Sequence, residues 1–229
     1  MLLARAREGV IEVNSQKTCA VKRGGTLTRE KFLLNEIRIV ATLRESGLPD
    51  EEIIRRVVEG NIFQYPTTRE AAGLTYACLH RLDALGRPEL VRLLAEGQGT
   101  SDQAAQINLY AMARAYQLMR EFLAEEVAMR YRTLDFELTA ADVNAFFTRV
   151  RARDEAVASW TDATLARLRG VLRGSLVKTG IMKSTASSEL LPFFIDPILE
   201  KAMIANGDAD LLSAFNCMHV AAGVVESDQ

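Results

Sequence analysis

The sequence predicts a mainly α-helical protein, a multi-helix, two-part architecture with helix-turn-helix-like units and one small C-terminal β-hairpin. Three observations predict it. Apolar residues recur at three- and four-residue steps through most of the chain, glycine and proline fall where those stripes end, and only one stretch reads as apolar, turn, apolar.

Residues 1–25 carry no sustained helical period and end in Lys22-Arg23-Gly24-Gly25, so they read as a flexible leader. From Thr28 as a cap, the stripe Phe32, Leu33, Ile37, Val40, Ala41 and Leu43 marks a first helix that ends near Ser46-Gly47. Asp50 caps a short second helix over Ile53, Ile54, Val57 and Val58, which Gly60-Asn61 stops. After the turn Gln64-Tyr65-Pro66, Thr67 stands where a third helix starts, running through Ala71, Leu74, Ala77, Cys78 and Leu82 to Gly86. Two short helices joined by a brief loop make a candidate helix-turn-helix.

Pro88 occupies the first turn of the next helix, which carries Leu90, Val91, Leu93 and Leu94 and ends at Gly97-Gln98-Gly99. Residues 102–131 form the longest helical region, with Leu109, Met112, Tyr116, Met119, Leu123 and Val127 on its buried side and a break near Glu121. Thr139-Ala140-Ala141-Asp142 opens a helix through Phe146, Phe147 and Val150. Near the end, Asp196-Pro197 opens a helix with Ile198, Leu199 and Met203, and Asp208 opens a last one over Leu211, Leu212 and Phe215. The expected organisation is a leader (1–25), an N-terminal helical domain (26–98), a C-terminal helical domain with a winged-helix-like segment (99–220) and a loose tail (221–229). The seam falls near 97–100 or 133–138.

Between those pieces lies the segment richest in information, Ser159-Trp160-Thr161 and the basic helix after it. Leu165, Leu168, Val171, Leu172 and Leu176 form one apolar stripe, Thr161 caps the start, Asp162 suits the positive end of the dipole and Gly180 stops the helix, giving about 162–179. A rotation of about 100° per residue turns Ala163, Ala166, Gly170 and Gly174 outward, with Arg169 and Arg173 along one border and Arg167 and Lys178 along the other. Two interior glycines cost about 1 kcal/mol each relative to alanine. Close approach to a phosphate backbone accounts for them, and so does close packing of another helix.

Gly180-Ile181-Met182-Lys183, then the polar run 184–188, then Glu189-Leu190-Leu191 reads as a hairpin. Such a hairpin is a wing, with Lys183 and Ser184 placed for phosphate oxygens. Trp160 is read as a structural anchor, the residue before the cap packing onto Leu165.

Composition bounds the alternatives. With 48% hydrophobic and 25% charged residues the chain belongs among soluble globular proteins. Its 28 Lys and Arg against 30 Asp and Glu give a net charge of −2, so any nucleic-acid contact must come from local asymmetry. Residues 151–188 supply it: Arg151, Arg153, Arg167, Arg169, Arg173, Lys178 and Lys183 against Asp154, Glu155 and Asp162. Cys19, Cys78 and Cys217 lie far apart in no paired spacing, which argues against a zinc module or a secreted disulfide scaffold and for a reducing cytoplasm. No apolar run of about 18 residues and no signal-peptide pattern occur, so no membrane partner is expected.

Little in the chain suggests catalysis. His80, beside Leu79 and Leu82, reads as structural, and Cys78, two residues earlier on the same helix, points about 200° away from it, too far to share a metal. Glu125-Glu126 with Arg130 reads as an ion-pair ladder, and no phosphate-cradling loop or nucleophile elbow is present. Distant carboxylates assembled by a bundle stay invisible to this reading. The expectation is a protein that is not an enzyme and uses no metal or cofactor.

The chain resembles the BrxA family of BREX bacteriophage-defence systems. The resemblance rests on Phe32-Leu33-Leu34-Asn35-Glu36-Ile37-Arg38-Ile39-Val40-Ala41, the helix start Thr67-Thr68-Arg69, Trp160-Thr161-x-x-Thr164-x-x-x-Leu168 leading to Gly180-Ile181-Met182, then Leu191-Pro192-Phe193 and Asp196-Pro197. It covers about 26–215, and the tryptophan segment is its most specific part. The resemblance implies an all-helical, two-part protein that binds DNA, has no catalytic activity of its own and acts beside a methyltransferase, an ATPase and other BREX proteins. Two features depart from the pattern: Tyr65-Pro66-Thr67-Thr68-Arg69-Glu70 offers a single arginine where members are richer in basic residues, and the leader finds no counterpart.

The expected function is therefore a DNA-binding accessory protein that touches duplex DNA mainly through phosphates. The expected contacts are Thr161, Thr164, Arg167, Arg169, Arg173, Lys178, Lys183 and Ser184, with Thr67, Thr68 and Arg69 as a second contact. Two alternatives stay open: a structural adaptor that docks another BREX subunit through its basic face, and an RNA-binding helical protein, disfavoured because aromatic residues are scarce near the basic segment. Expected partners are double-stranded DNA and other BREX proteins, with weak self-association left open.

Overall fold

Helix starts in this protein are set by short polar side chains. Thr67, Thr139, Asp154, Thr161 and Asp196 each accept a backbone N–H from the first turn of the helix they precede, and Thr139 with Asp142 forms a reciprocal capping box. The computed structural model describes residues 20–96 and 101–216, and these are mostly helical. In chain order the helices are α1 (Leu27–Glu30), α2 (Leu34–Glu45), α3 (Asp50–Glu59), α4 (Thr68–Leu85), α5 (Pro88–Glu96), α6 (Ser101–Ala115) and α7 (Gln117–Phe122). A π-helical stretch, Leu123–Ala128, leads into α8 (Met129–Thr133), followed by α9 (Ala140–Arg153), α10 (Glu155–Ala158), α11 (Asp162–Lys178), α12 (Pro197–Ala205) and a 3₁₀ stretch, Ala209–Phe215.

The long central helical region is the spine. α4 and α2 pack on α6, α3 packs on α4, and α5 packs on α2. The 3₁₀ stretch folds back onto the π-helical stretch and α8, while α12 reaches α5. Buried apolar residues from Leu27 to Phe215 join one cluster, so the segments expected as two domains meet across a shared core. Of the expected boundaries, residues 1–19, 97–100 and 217–229, with Cys19 and Cys217, lie outside the described residues.

Three expectations need correction. Residues 20–25, read as the end of a flexible leader, are built into the fold. The Lys22 N–H donates to the Ala115 carbonyl at 2.9 Å, the Gln117 N–H donates back to Lys22 at 2.9 Å and the Leu118 N–H to Arg23 at 3.0 Å. This parallel bridge satisfies the backbone where the spine breaks at Tyr116, whose φ of −131° and ψ of 116° are extended. The break therefore lies at Tyr116 and not near Glu121. Gly24 is required there, because at φ +117° an added Cβ would stand 2.8 Å from the Leu118 Cβ.

The expected first helix is divided, with Lys31 at φ 33° and Leu33 at φ 53° between α1 and α2. Arg81, fully buried on α4, holds that kink: its guanidinium donates to the carbonyls of Phe32 at 2.8 Å, Glu30 at 3.0 Å and Lys31 at 2.6 Å. Asn108 adds a donor to the Phe32 carbonyl at 2.5 Å, and the Tyr116 ring lies 5.3 Å from the Arg81 guanidinium. Asp208 opens the last helical stretch as expected, though without a side-chain cap bond. Its carboxylate accepts instead from the Tyr110 hydroxyl at 2.6 Å, from Arg114 at 2.5 Å and from Arg120 at 2.8 Å, tying the C-terminal stretch to the spine.

Trp160 reaches a segment the sequence reading did not connect to it. Its ring lies over Gly25, where an added Cβ would be 3.1 Å from Cζ2, and it packs partly buried against the core.

The described residues contain no extended sheet, only isolated bridges. Met182 pairs antiparallel with Leu190 and Glu137 with Glu189. The N–H of Leu191 donates to the Ile181 carbonyl at 2.8 Å, that of Leu190 to Phe136 at 2.8 Å and that of Leu138 to Ser188 at 2.6 Å. Three short extended pieces, one before α9 and two after α11, thus lie side by side.

Candidate nucleic-acid interface

α11 forms as its spacing dictates. Thr161 accepts the Thr164 N–H at 3.2 Å, and the inner stripe Leu165, Leu168, Leu172 and Leu176 is buried against α9 and its neighbours. Outward, Thr161, Ala163, Ala166, Arg167, Gly170 and Lys178 are exposed, and Thr164 and Gly174 are half-buried. The two threonine hydroxyls lie 3.0 Å apart and share a hydrogen bond.

The two borders of α11 have different fates. Arg173 turns toward the extended pieces, donating to the carbonyls of Ser187 at 2.5 Å and Leu138 at 3.5 Å. Arg169 lays its guanidinium 5.5 Å from the Phe147 ring. Both are half-buried and act as ties between α11 and the elements beside it.

On the opposite border, Arg167 and Lys178 line an open groove of about 600 Å³ between α11 and the α1 turn. Lys31, Thr28 and Phe32 form its far wall, and Gly170, Val171, Gly174 and Ser175 its floor. No carboxylate lines it. Lys31, Arg167 and Lys178 form no ion pair among the described residues, in contrast to Arg23, Arg130 and Arg153, each bridging two carboxylates. The space above both glycines is empty to 4 Å, so they do not serve as a seam for another helix of the described chain. Replacing Gly170 with alanine is accordingly expected to raise stability by about 0.5–1 kcal/mol, read as a higher denaturation midpoint.

Lys183 and Ser184 are exposed on the turn between the paired pieces, where Ser184 accepts the Ser187 N–H at 3.2 Å. Thr67, Thr68 and Arg69 are exposed at the start of α4, and no hydrogen bond or ion pair joins them to α11 among the described residues. The structure thus brings Arg167 and Lys178 together with Lys31, Thr28 and Phe32, which sequence reasoning missed. Those residues read as the front of one continuous helix; only the buried Arg81 reveals the turn that presents them.

The larger cavity, about 880 Å³, is lined by arginines that are mostly committed: Arg44 to Asp50 and Asp83, Arg114 and Arg120 to Asp208. No group of three or more metal-ligating side chains occurs among the described residues. Burial pushes the Cys78 thiol up to about 12, far from a reactive thiolate at neutral pH. His80 places Nε2 2.9 Å from the Ala20 carbonyl, serving the docked segment. Glu126, buried on the π-helical stretch, pairs with Arg130 at 2.7 Å and with Arg149, and Arg130 also reaches Asp142 at 3.1 Å. No helix among the described residues is long and apolar enough to cross a membrane.

With this geometry in place, comparison with known proteins gives three findings. A family model described as BrxA matches residues 24–207. The chain is 30% identical over 159 residues to the BREX protein BrxA of Bacillus cereus (strain H3081.97), an alignment covering 69% of this chain and 78% of that protein. A crystal structure of an uncharacterized protein from Magnetospirillum magneticum superposes with a TM-score of 0.69 at 22% identity, covering 83% of this chain and 96% of that one, a likeness of fold.

Proposed function

The chain belongs to the BrxA family of BREX phage-defence proteins, and from that premise we propose that it is a non-enzymatic accessory component that binds duplex DNA mainly through phosphates. The observation that carries this reading is the order of elements around α11. An extended piece at 136–138, helix α9, the single turn of α10, helix α11, then two paired pieces joined by a polar turn follows the order of a winged helix, with α11 in the recognition position and 183–188 as the wing. Thr164 and Arg167 on α11 and Lys183 and Ser184 on the wing supply the phosphate contacts. Ala163 and Ala166 offer base edges no hydrogen-bonding group, only a methyl that suits thymine, so sequence preference is weak. Other BREX proteins are its partners in the defence system.

Fluorescence anisotropy with a blunt duplex, measured against salt, tests the reading. With two cationic phosphate contacts, Arg167 and Lys183, log affinity falls against log salt with a slope of roughly −2, and Arg167→Ala with Lys183→Ala removes most of it. An unchanged slope in that double variant moves the contact to Thr67, Thr68 and Arg69. Absence of duplex binding at low salt favours an adaptor whose basic face docks an acidic BREX subunit.

A further inference from the structure

Beside the recognition position, the groove between α1 and α11 has a shape that a duplex cannot enter. A major groove about 12 Å wide admits one helix about 10–12 Å across. Here the α1 turn packs directly on α11, and two helices with axes about 8–10 Å apart present a ridge of roughly 20 Å. Gly170, Gly174 and Lys178 therefore stay outside any duplex that approaches α11.

Yet the groove is built for an anion. Lys31, Arg167 and Lys178 rim it with no carboxylate in the lining and no ion pair among the described residues. Arg167 and Lys178 stand about 16 Å apart along the helix, with Lys31 opposite, so the charge is spread along a path and not gathered at one point. The floor, in contrast, is half-buried Val171 and two bare glycine backbones, an apolar strip that a small hydrated anion leaves uncovered. An occupant that matches both has a charged backbone and flat apolar faces. We infer that this groove holds one unpaired DNA strand, its phosphates on Lys31, Arg167 and Lys178 and its bases over the floor of Gly170, Val171 and Gly174. The inference rests on the DNA-binding reading and adds to it a preference for duplex bearing a single-stranded segment. The buried Arg81 is a positioning residue for this site, since it holds the carbonyls of the turn that carries Lys31 and Phe32.

The test uses the full chain with labelled dT12, a blunt duplex, and the same duplex carrying a dT12 overhang. Gly174→Leu fills the groove from a helical position whose Cβ meets nothing within 4 Å, and Lys31→Ala removes a rim charge. Thermal melting checks that both remain folded. The expected result is about tenfold weaker dT12 binding in Gly174→Leu and roughly threefold weaker in Lys31→Ala, with blunt-duplex affinity changed less than about twofold and the overhang advantage lost. dT12 binding that is absent from the wild type, or unaffected by Gly174→Leu, overturns the inference while leaving the duplex reading standing. Equal losses for dT12 and blunt duplex overturn the separation of the two sites, and inorganic polyphosphate that competes as well as dT12 overturns the role of the bases. If neither DNA binds, the duplex reading falls and the groove assignment with it.

Discussion

Arg81→Met is expected to cost about 3–5 kcal/mol, a large part of the 5–15 kcal/mol by which a domain is stable. The methionine fills most of the space but donates nothing, so the carbonyls of Glu30 and Lys31 lose their Arg81 donor, while Phe32 keeps only Asn108. Lys31 and Leu33 hold positive φ angles that persist only because these bonds fix them, so the turn relaxes and its wall of the groove moves. Arg81→Lys, one donor group in place of a planar fork, falls between. Chemical denaturation measures the cost, and a variant within about 1 kcal/mol of wild type defeats the account. Nothing in α4's sequence marks this arginine as interior.

The second large effect is at Asp208. Asp208→Ala leaves Arg114, Arg120 and the Tyr110 hydroxyl facing an empty site and is expected to cost about 3 kcal/mol or more. The same carboxylate gives the protein an acid limb. Burial pushes its pKa up, but the hydrogen bonds from Tyr110 and Arg120 and the charges of Arg114 and Arg120 outweigh burial and hold it below the usual carboxylate range. A pKa lower in the folded than in the unfolded chain means the unfolded chain takes up the proton first. Its stabilisation is complete above the unfolded value of about 3.9 and is lost as pH falls through the folded one. Denaturation midpoints measured from pH 7 down to 3 should fall more steeply in the wild type than in Asp208→Asn. Parallel curves would mean the carboxylate contributes nothing through its charge.

Much of the helical skeleton was legible because its causes are local. Thr161 before a stripe of leucines, Thr67 before Ala71 and Leu74, and Asp196 before Pro197 each carry cap and periodicity within a few residues, and each helix begins where they place it. The interruptions were illegible because their causes are remote. The kink at 31–33 answers to Arg81 on α4, and the break at Tyr116 answers to Lys22 on the other side of six helices in sequence. The candidate site shows the same division. A helical wheel set out the two borders of α11 correctly as directions. It could not tell that Phe147 and the carbonyls of Leu138 and Ser187 would engage Arg169 and Arg173 and leave Arg167 and Lys178 open.

The docked segment at 20–25 also bears on how the chain is made. Arg23 closes onto Glu121, a residue 98 positions later, and the backbone around Lys22 completes the spine at its break. At about 5–20 residues per second, a ribosome exposes that segment roughly 5–20 s before its partner exists. This early segment is thus fastened only once residues 115–121 have been made. Until then the nascent chain carries an unfinished central helix, so truncations that remove 20–25 should surface as poor yield during synthesis sooner than as a fault in the finished protein.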